Sequence, residues 1–319
     1  MTIDALDLLR LVGGLVYLVL GGDLLVRGAL AVARRTAIPP VIVGLTVVAL
    51  GTSAPELVIS VYSSLSGFTG VAIGNVVGSN IANVLLVLGA PALISPIRAD
   101  APGLRRQTGF MLAATVIFVG LAYNGTLAPL EGLLLLFLLF AAMVSVYVFG
   151  IEVPGADEVD EARQLQRVLG LPNNQVTAIV FIVAGIVMLP LGADLTVDGA
   201  VAIAAVFGIP EVVIGSTIVA LGTSLPELST TLIAAFHRSS DIAIGNVIGS
   251  NALNILLVAG ASAAIAPLPV PPSLLVIDVW ILLATAALML LFVMRRWPVG
   301  RAAGVVMLAG YVGYFTAIL

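Results

Sequence analysis

Two short segments place a carboxylate, two hydroxyl groups and a proline inside otherwise apolar runs. The first reads GTSAPELVIS over residues 51–60, and the second reads GTSLPELSTT over residues 222–231. A proline inside a helix removes one backbone donor and clashes with the carbonyl four residues earlier. We therefore expect a loosened helical turn at 49–52 and another at 220–223, with carbonyl groups freed at membrane depth. A cation would satisfy such carbonyls.

Oxygen-bearing side chains cluster at these turns. Thr52, Ser53 and Glu56 share roughly one helix face, and in the next apolar run Ser79 and Asn83 recur with Asn75 at intervals of four residues. The second segment repeats the pattern with Thr223, Ser224, Glu227, Asn246, Ser250 and Asn254. These groups supply oxygen rather than sulfur or imidazole, which suits hard cations such as Ca²⁺. Two carboxylates held within a bilayer also imply a resident positive charge.

Each feature has a simpler explanation when it is taken alone. Proline often only kinks a membrane helix, and Ser, Thr and Asn commonly form hydrogen bonds between helices. The segments GNVVG (74–78) and GNVIG (245–249) would also suit close helix packing. The whole combination occurs twice at one fixed offset, however, and this recurrence favours a cation site.

Composition places the chain in a membrane, because only 9% of its 319 residues are charged and 61% are hydrophobic. Soluble domains carry about 25% charged residues. Apolar runs close to the length of a bilayer crossing, about 20 residues, predict an all-α polytopic membrane protein of ten transmembrane helices. The predicted spans are 5–30, 40–64, 71–95, 107–124, 127–150, 176–203, 210–235, 241–266, 275–294 and 302–319.

Several classes of function are disfavoured by the same composition. The chain has no cysteine, and its one histidine, His237, is expected in a solvated loop. An intramembrane enzyme would need a nucleophile with a base, or histidine-bound metal, so we expect no enzyme and no cofactor. The absence of a basic stripe argues against a nucleic-acid partner. The expected partners are ions and the lipid bilayer.

An internal repeat organises the chain. Residues 72–89 match residues 243–260 at 13 of 18 positions, and residues 15–96 align without a gap to 186–267 at an offset of 171. Each half has five predicted spans, an odd number, so the second half should be inverted in the membrane, as in many transporters. We predict a first repeat at 1–150, an acidic cytoplasmic linker at 151–174 and an inverted second repeat at 175–319.

The arginines predict the orientation. All 13 basic residues are arginine, and only Arg10 falls on the side of the N-terminus when the ten spans are numbered alternately. Basic residues concentrate in cytoplasmic loops. We therefore expect a multi-pass protein of the cell (inner) membrane, with both termini extracellular or periplasmic.

The paired motifs resemble the Ca²⁺/cation antiporter superfamily, and the chain is most similar to prokaryotic Na⁺/Ca²⁺ exchangers. GTSAPEL with GNVVGSNIAN resembles the first signature repeat of that family, and GTSLPEL with GNVIGSNALN resembles the second. The resemblance implies antiport of Na⁺ against Ca²⁺ by alternating access, with the first and sixth spans sliding across the other eight. The implied ligands are Glu56, Glu227, Thr52, Ser53, Thr223, Ser224, Ser79, Asn83, Ser250 and Asn254, with backbone carbonyls of Ala49 and Ala220.

Two further expectations concern the kind of exchanger. Asn254 stands where K⁺-dependent relatives carry aspartate, which disfavours K⁺ dependence. The linker is too short for a folded regulatory domain. H⁺-coupled exchange of Ca²⁺ or another cation is the alternative within the superfamily, and a channel is an alternative outside it.

Overall fold

The protein is helical through nearly all of the residues that its computed structural model describes, which are 4–36, 38–148, 171–172, 174–208 and 220–318. Most of the predicted acidic linker and the start of the predicted seventh span lie outside these ranges. The helices of the first half are α1 (Ala5–Thr36), α2 (Pro40–Thr52), α3 (Ala54–Leu65), α4 (Thr69–Ile94), α5 (Leu104–Ala122) and α6 (Pro129–Val148). Strand β1 (Thr126–Leu127) precedes α6.

The second half repeats this order of helices. Its helices are α7 (Gln175–Val206), α8 (Ala220–Gly222), α9 (Leu225–Phe236), α10 (Ser240–Ile265), α11 (Leu274–Arg295) and α12 (Arg301–Ile318), and β2 (Leu268–Pro269) lies between α10 and α11. Helices α1 and α7 are each 32 residues long and extend beyond the predicted spans 5–30 and 176–203. Helices α3 and α9, and likewise α4 and α10, begin and end at positions that differ by the repeat offset.

Each motif contains a break, but it lies beyond the turn predicted to be loosened, because Ala49–Thr52 and Ala220–Gly222 are still helical. Helix α2 ends at Thr52, Ser53 leaves the helical region with ψ near 6°, and α3 continues at an angle of 45° to α2. Ser224 has the same conformation between α8 and α9. Pro55 and Pro226 occupy the first turn of the following helix, where a missing N–H costs nothing. The proline therefore starts a new helix at each site.

Among the described residues, α1, α4, α7, α10 and α11 are long and apolar enough to cross a membrane, and the bent pair α2–α3 makes a sixth candidate. This count is lower than the ten predicted spans. One reason is that the residues preceding α8 lie outside the described ranges. Another is that α5 begins with the polar sequence LRRQTG, which lowers its mean hydropathy.

Helices α4 and α10 form the centre of the protein, since 72% and 89% of their apolar windows are buried, against 33% for α7 and α11. Large apolar side chains on the outer helices are exposed instead; examples are Leu9, Phe137 and Val180. Such faces are unfavourable in water and suit a lipid environment. The burial pattern thus places the two motif-bearing helices away from lipid.

Helices α1 and α7 pack backbone to backbone. Glycine recurs every seven residues on both helices, at Gly14, Gly21, Gly28, Gly185, Gly192 and Gly199. A methyl group added at Gly21 would lie 3.0 Å from Cβ of Met188, and one added at Gly28 would lie 2.8 Å from the carbonyl oxygen of Ala178. Contacts move towards the N-terminus of α7 as they move along α1, so the two helices are antiparallel. We call these six residues the glycine seam.

Two short backbone pairings join the ends of the halves. Leu127 pairs with Leu268 between antiparallel strands β1 and β2, and Ile97 pairs with Val299 in an isolated bridge. Ile97 and Leu268 are equivalent under the repeat offset, so each half contributes the same position to one pairing. Backbone pairing therefore connects the two halves in a similar way at two places.

Candidate cation-binding site

Two glutamates lie at the breaks, each in the first turn of the helix that follows. Glu56 is 1% exposed and Glu227 is fully buried. The two halves meet here, because the hydroxyl of Ser53 donates a hydrogen bond of 3.0 Å to Oε1 of Glu227. The structure therefore brings the two motif segments to one place in the interior, as the repeat predicted.

Thr52 also reaches from the first half into the second. Its hydroxyl lies 3.2 Å from Oδ1 of Asn246, 3.5 Å from Oγ of Ser250 and 3.3 Å from the carbonyl oxygen of Ala49. Thr52, Asn246 and Ser250 are all fully buried. The hydroxyl of Thr52 is thus surrounded by oxygen atoms from two helices.

The side chains of α4 and α10 complete the cluster. Nδ2 of Asn254 donates to Oγ of Ser79 at 3.0 Å, and Ser79 donates in turn to the carbonyl oxygen of Asn75 at 2.6 Å. Asn83 and Asn254 each begin a wide, π-type turn within their helix. Such turns are frequent at functional sites. Both asparagines are at most 1% exposed.

Many of the buried oxygen atoms here have no hydrogen-bond partner within the described part of the chain. They are both carboxylate oxygens of Glu56, Oε2 of Glu227, Oδ1 of Asn83, Oδ1 of Asn254 and Oγ of Ser224. Burying such groups unpaired is costly, most of all for a carboxylate. A hard cation that accepts six to eight oxygen ligands fits this donor set. No three His, Cys, Asp or Glu residues cluster in the described ranges, so the negative charge comes from the two glutamates.

The remaining predicted residues differ between the halves. Thr223 is half-buried and has no hydrogen bond to another described residue. The N–H of Ser53 donates to the carbonyl of Ala49 at 2.9 Å, whereas the N–H of Ser224 donates to the carbonyl of Leu221 at 3.1 Å. The two breaks are therefore similar in sequence and different in their backbone hydrogen bonds.

A second polar cluster lies apart from the oxygen atoms around Glu56 and Glu227. Nε2 of His237 is 2.8 Å from Oδ1 of Asp23, and the side chain of Arg27 is 2.9 Å from the same carboxylate. The side chain of His237 is 15% exposed, so the expectation of a solvated loop residue was wrong. The spacing of Asp23 and Arg27 could have indicated their pairing. Nothing in the sequence brings His237, at the end of α9, to α1.

Comparison with known proteins decides the family. The sequence model of a family described as "Sodium/calcium exchanger protein" matches residues 6–148 and 177–319, two stretches displaced by the repeat offset. The chain belongs to the sodium/calcium exchanger protein family. This family consists of membrane transporters, so the chain is a multi-pass membrane protein and a cation antiporter of the Ca²⁺-exchanging type.

Relatives support this over nearly the full length. The chain is 37% identical to the putative antiporter CaxA of Alkalimonas amylolytica, covering 94% of this chain and 95% of that protein. It is 34% identical to the sodium/calcium exchanger MaX1 of Methanosarcina acetivorans, covering 98% of each. A solved structure of the sodium-calcium exchanger NCX_Mj matches with a TM-score of 0.84 at 30% identity, covering 98% of this chain and 99% of that one. The structural match and the sequence comparisons therefore indicate the same family.

Proposed function

We propose that this exchanger-family protein moves Ca²⁺ across the membrane in exchange for Na⁺, by alternating access to one central all-oxygen site built on Glu56 and Glu227. The observation that carries the proposal is the pair of buried carboxylates with oxygen atoms that have no partner among the described residues. A site that must release its ions cannot keep a permanent internal counter-charge. Transported cations would supply the missing positive charge during each half of the cycle.

The charge of the site suits this cargo. Glu56 and Glu227 carry two negative charges when ionised, and Asn83 and Asn254 add none. One Ca²⁺ or two Na⁺ would bring that charge to zero. The proposed ligands are Glu56, Glu227, Thr52, Ser53, Thr223, Ser224, Ser79, Asn83, Ser250 and Asn254, with the carbonyls of Ala49 and Ala220.

Movement of α1 and α7 would open the site to each side in turn. The glycine seam supports this because it lets two long helices contact through backbone along their length, so they can shift together as one unit. Both helices contact helices that carry the motifs. Ser229 of α9 donates to the carbonyl of Leu18 on α1 at 2.6 Å, one contact that would have to break or move with the shift.

The membrane topology is part of the proposal. We propose ten crossings arranged as two inverted repeats, at 1–150 and 175–319, joined by a cytoplasmic linker at 151–174 without a regulatory domain. The antiparallel packing of α1 against α7 supports the inversion, since these helices begin the two halves. The arginine distribution supports an inner-membrane location with both termini extracellular or periplasmic.

H⁺-coupled exchange of Ca²⁺ or another cation is the second candidate. Protons bind the same carboxylate oxygens as metal ions do, so two buried glutamates could also serve a proton-driven cycle. The neutral ligands around them favour Na⁺, because hydroxyl and carbonyl oxygens bind a metal ion and contribute nothing to carrying a proton at neutral pH.

Uptake of ⁴⁵Ca²⁺ into proteoliposomes tests the proposal and separates the candidates. Vesicles holding the purified protein are loaded with Na⁺, K⁺ or acidic buffer and then diluted into medium without that ion. In the Na⁺ and acid arms, equal K⁺ on both sides with valinomycin clamps the membrane potential near zero, and the K⁺ arm contains no valinomycin. We expect uptake from Na⁺-loaded vesicles and background uptake from the others. Uptake driven by the pH gradient alone would favour the second candidate, and uptake with no gradient at all would indicate a channel.

A further inference from the structure

Asn75 and Asn246 hold the same position in the two halves, one on α4 and one on α10, each facing the helix that carries a site glutamate. Nδ2 of Asn75 lies 2.9 Å from Oγ of Ser60 and 3.4 Å from the carbonyl oxygen of Glu56. Nδ2 of Asn246 lies 3.1 Å from Oγ1 of Thr231 and 3.5 Å from the carbonyl oxygen of Glu227. The asparagine amides therefore donate to the glutamate helices and do not present nitrogen to a cation.

Asn246 makes one contact that Asn75 does not make within the described ranges. Its Oδ1 accepts a hydrogen bond of 3.2 Å from the hydroxyl of Thr52, which belongs to the other half of the chain. The contact joins α10 directly to the break between α2 and α3. Thr223, the equivalent of Thr52, has no corresponding bond to Asn75 in the described structure.

The orientation of the Asn246 amide follows from its neighbours. A flipped amide would place Oδ1 against the carbonyl oxygen of Glu227 and would lose a donor there, so the observed orientation is the favourable one. Thr52 is then the single described partner of Oδ1. Since Asn246 is fully buried, this oxygen would be left unpaired if the Thr52 hydrogen pointed elsewhere.

Two competing acceptors for the Thr52 hydrogen are engaged already or would be engaged by a bound cation. The carbonyl of Ala49 already accepts the N–H of Ser53 at 2.9 Å. The nearby carboxylate of Glu227 accepts from Ser53 and would be a cation ligand. A hydroxyl has one hydrogen and two lone pairs, so donating to Asn246 leaves the oxygen of Thr52 free to face a cation.

We propose that Asn246 is a positioning residue of the cation site, which aims the oxygen of Thr52 at the bound ion and does not bind the ion itself. The inference rests on the proposed function, because it assumes that Thr52 is a ligand. Asn75 provides the matched control, since it makes the same two donor contacts without the bond to the opposite half.

The test measures Ca²⁺ affinity by isothermal titration calorimetry on purified protein, for wild type, Asn75→Ala, Asn246→Ala, Thr52→Val and the double variant Thr52→Val/Asn246→Ala. We expect Asn246→Ala to weaken Ca²⁺ binding about fivefold or more relative to Asn75→Ala, the order expected for one hydrogen bond. The double variant should bind no more weakly than Thr52→Val alone, within about twofold, because Asn246 acts through Thr52.

The inference would be overturned if the two asparagine variants lost equal Ca²⁺ affinity, or if the affinity losses of Thr52→Val and Asn246→Ala multiplied in the double variant. Either result would leave the proposed function intact. A wild-type protein that binds neither Ca²⁺ nor Na⁺ would overturn both the inference and the proposed function.

If Asn246→Ala does not fold, a comparison of Thr52→Val with Thr223→Val tests the inference instead. Only Thr52→Val leaves Asn246 Oδ1 unpaired, so it should lower the midpoint of thermal unfolding in ion-free buffer more than Thr223→Val does. Equal midpoints would count against the inference.

Discussion

Ser53 donates a hydrogen bond of 3.0 Å to the carboxylate of Glu227, although the two residues are 174 positions apart. Their repeat equivalents, Ser224 and Glu56, are both buried and have no such bond, and their side-chain oxygens have no partner in the described part of the protein. The two halves carry almost the same motif. They therefore differ in structure at the point where a symmetric site would be expected to be most alike.

This asymmetry predicts different effects for two matched serine variants. Ser53→Ala removes a hydrogen bond to a charged group and should lower the free energy of unfolding by about 1.5–3 kcal/mol in ion-free buffer. Ser224→Ala removes no side-chain hydrogen bond of the described structure and should change the free energy of unfolding by much less. Thermal unfolding in detergent measures the stability of both variants. The difference between them should narrow in saturating Ca²⁺, where each variant lacks one neutral ligand. Equal destabilisation without ions would contradict the observed arrangement.

Neutralising either site glutamate should abolish exchange. Glu56→Gln and Glu227→Gln each remove half of the negative charge that offsets Ca²⁺, so Ca²⁺ binding should weaken by about 100-fold or more. Glu56→Gln should also raise the unfolding midpoint in ion-free buffer, because both oxygens of Glu56 are buried and unpaired. Sodium-driven ⁴⁵Ca²⁺ uptake and thermal unfolding check the two effects.

Glu131→Gln is the control for the glutamate variants. Glu131 accepts a hydrogen bond of 2.7 Å from the N–H of Ala128 at the start of α6, and a glutamine oxygen can accept the same bond. Sodium-driven ⁴⁵Ca²⁺ uptake by the Glu131→Gln variant should match that of the wild-type protein. Normal uptake in Glu56→Gln or Glu227→Gln would show that the ion site lies elsewhere.

The glycine seam predicts that even a single methyl group will separate α1 from α7. A Cβ added at Gly192 would lie 2.8 Å from the backbone nitrogen of Leu18 and 2.9 Å from the carbonyl oxygen of Gly14. Gly192→Ala should therefore destabilise the protein by about 1–3 kcal/mol and slow exchange. Gly13→Ala on α1 meets nothing within 4 Å and should be neutral or slightly stabilising. Indistinguishable unfolding midpoints would mean that the helices are less tightly packed than described.

The proposed orientation predicts which loops react from outside the cell. The chain contains no cysteine, so single cysteines can be placed at Ser66, between α3 and α4, and at Asp100, between α4 and α5; both positions are exposed. A membrane-impermeant maleimide should label Ser66→Cys in intact cells and Asp100→Cys only after permeabilisation. The reverse pattern would invert the topology without affecting the ion site.

Much of this protein follows from its sequence alone. Apolar runs can satisfy their backbone groups in lipid only as helices, so the helical membrane fold follows from composition. Pro55 and Pro226 mark the breaks because a proline cannot continue a helix without losing a bond. The offset of 171 residues identifies two equivalent halves, and the spacing of Glu56 with its hydroxyl neighbours selects the candidate ligands.

Only the tertiary structure decided how the two halves differ. The motifs around Ser53 and Ser224 are nearly identical, so no local property of either sequence predicts that one bonds a glutamate and the other does not. The hydrogen bond from Thr52 to Asn246 likewise depends on the packing of two helices from opposite halves, which brings the Thr52 hydroxyl to 3.2 Å from Oδ1 of Asn246. Hydrogen bonds weaken steeply with distance and angle, and those quantities are set by the packing of the whole bundle. Partners separated by this much chain are therefore settled by packing and not by local sequence.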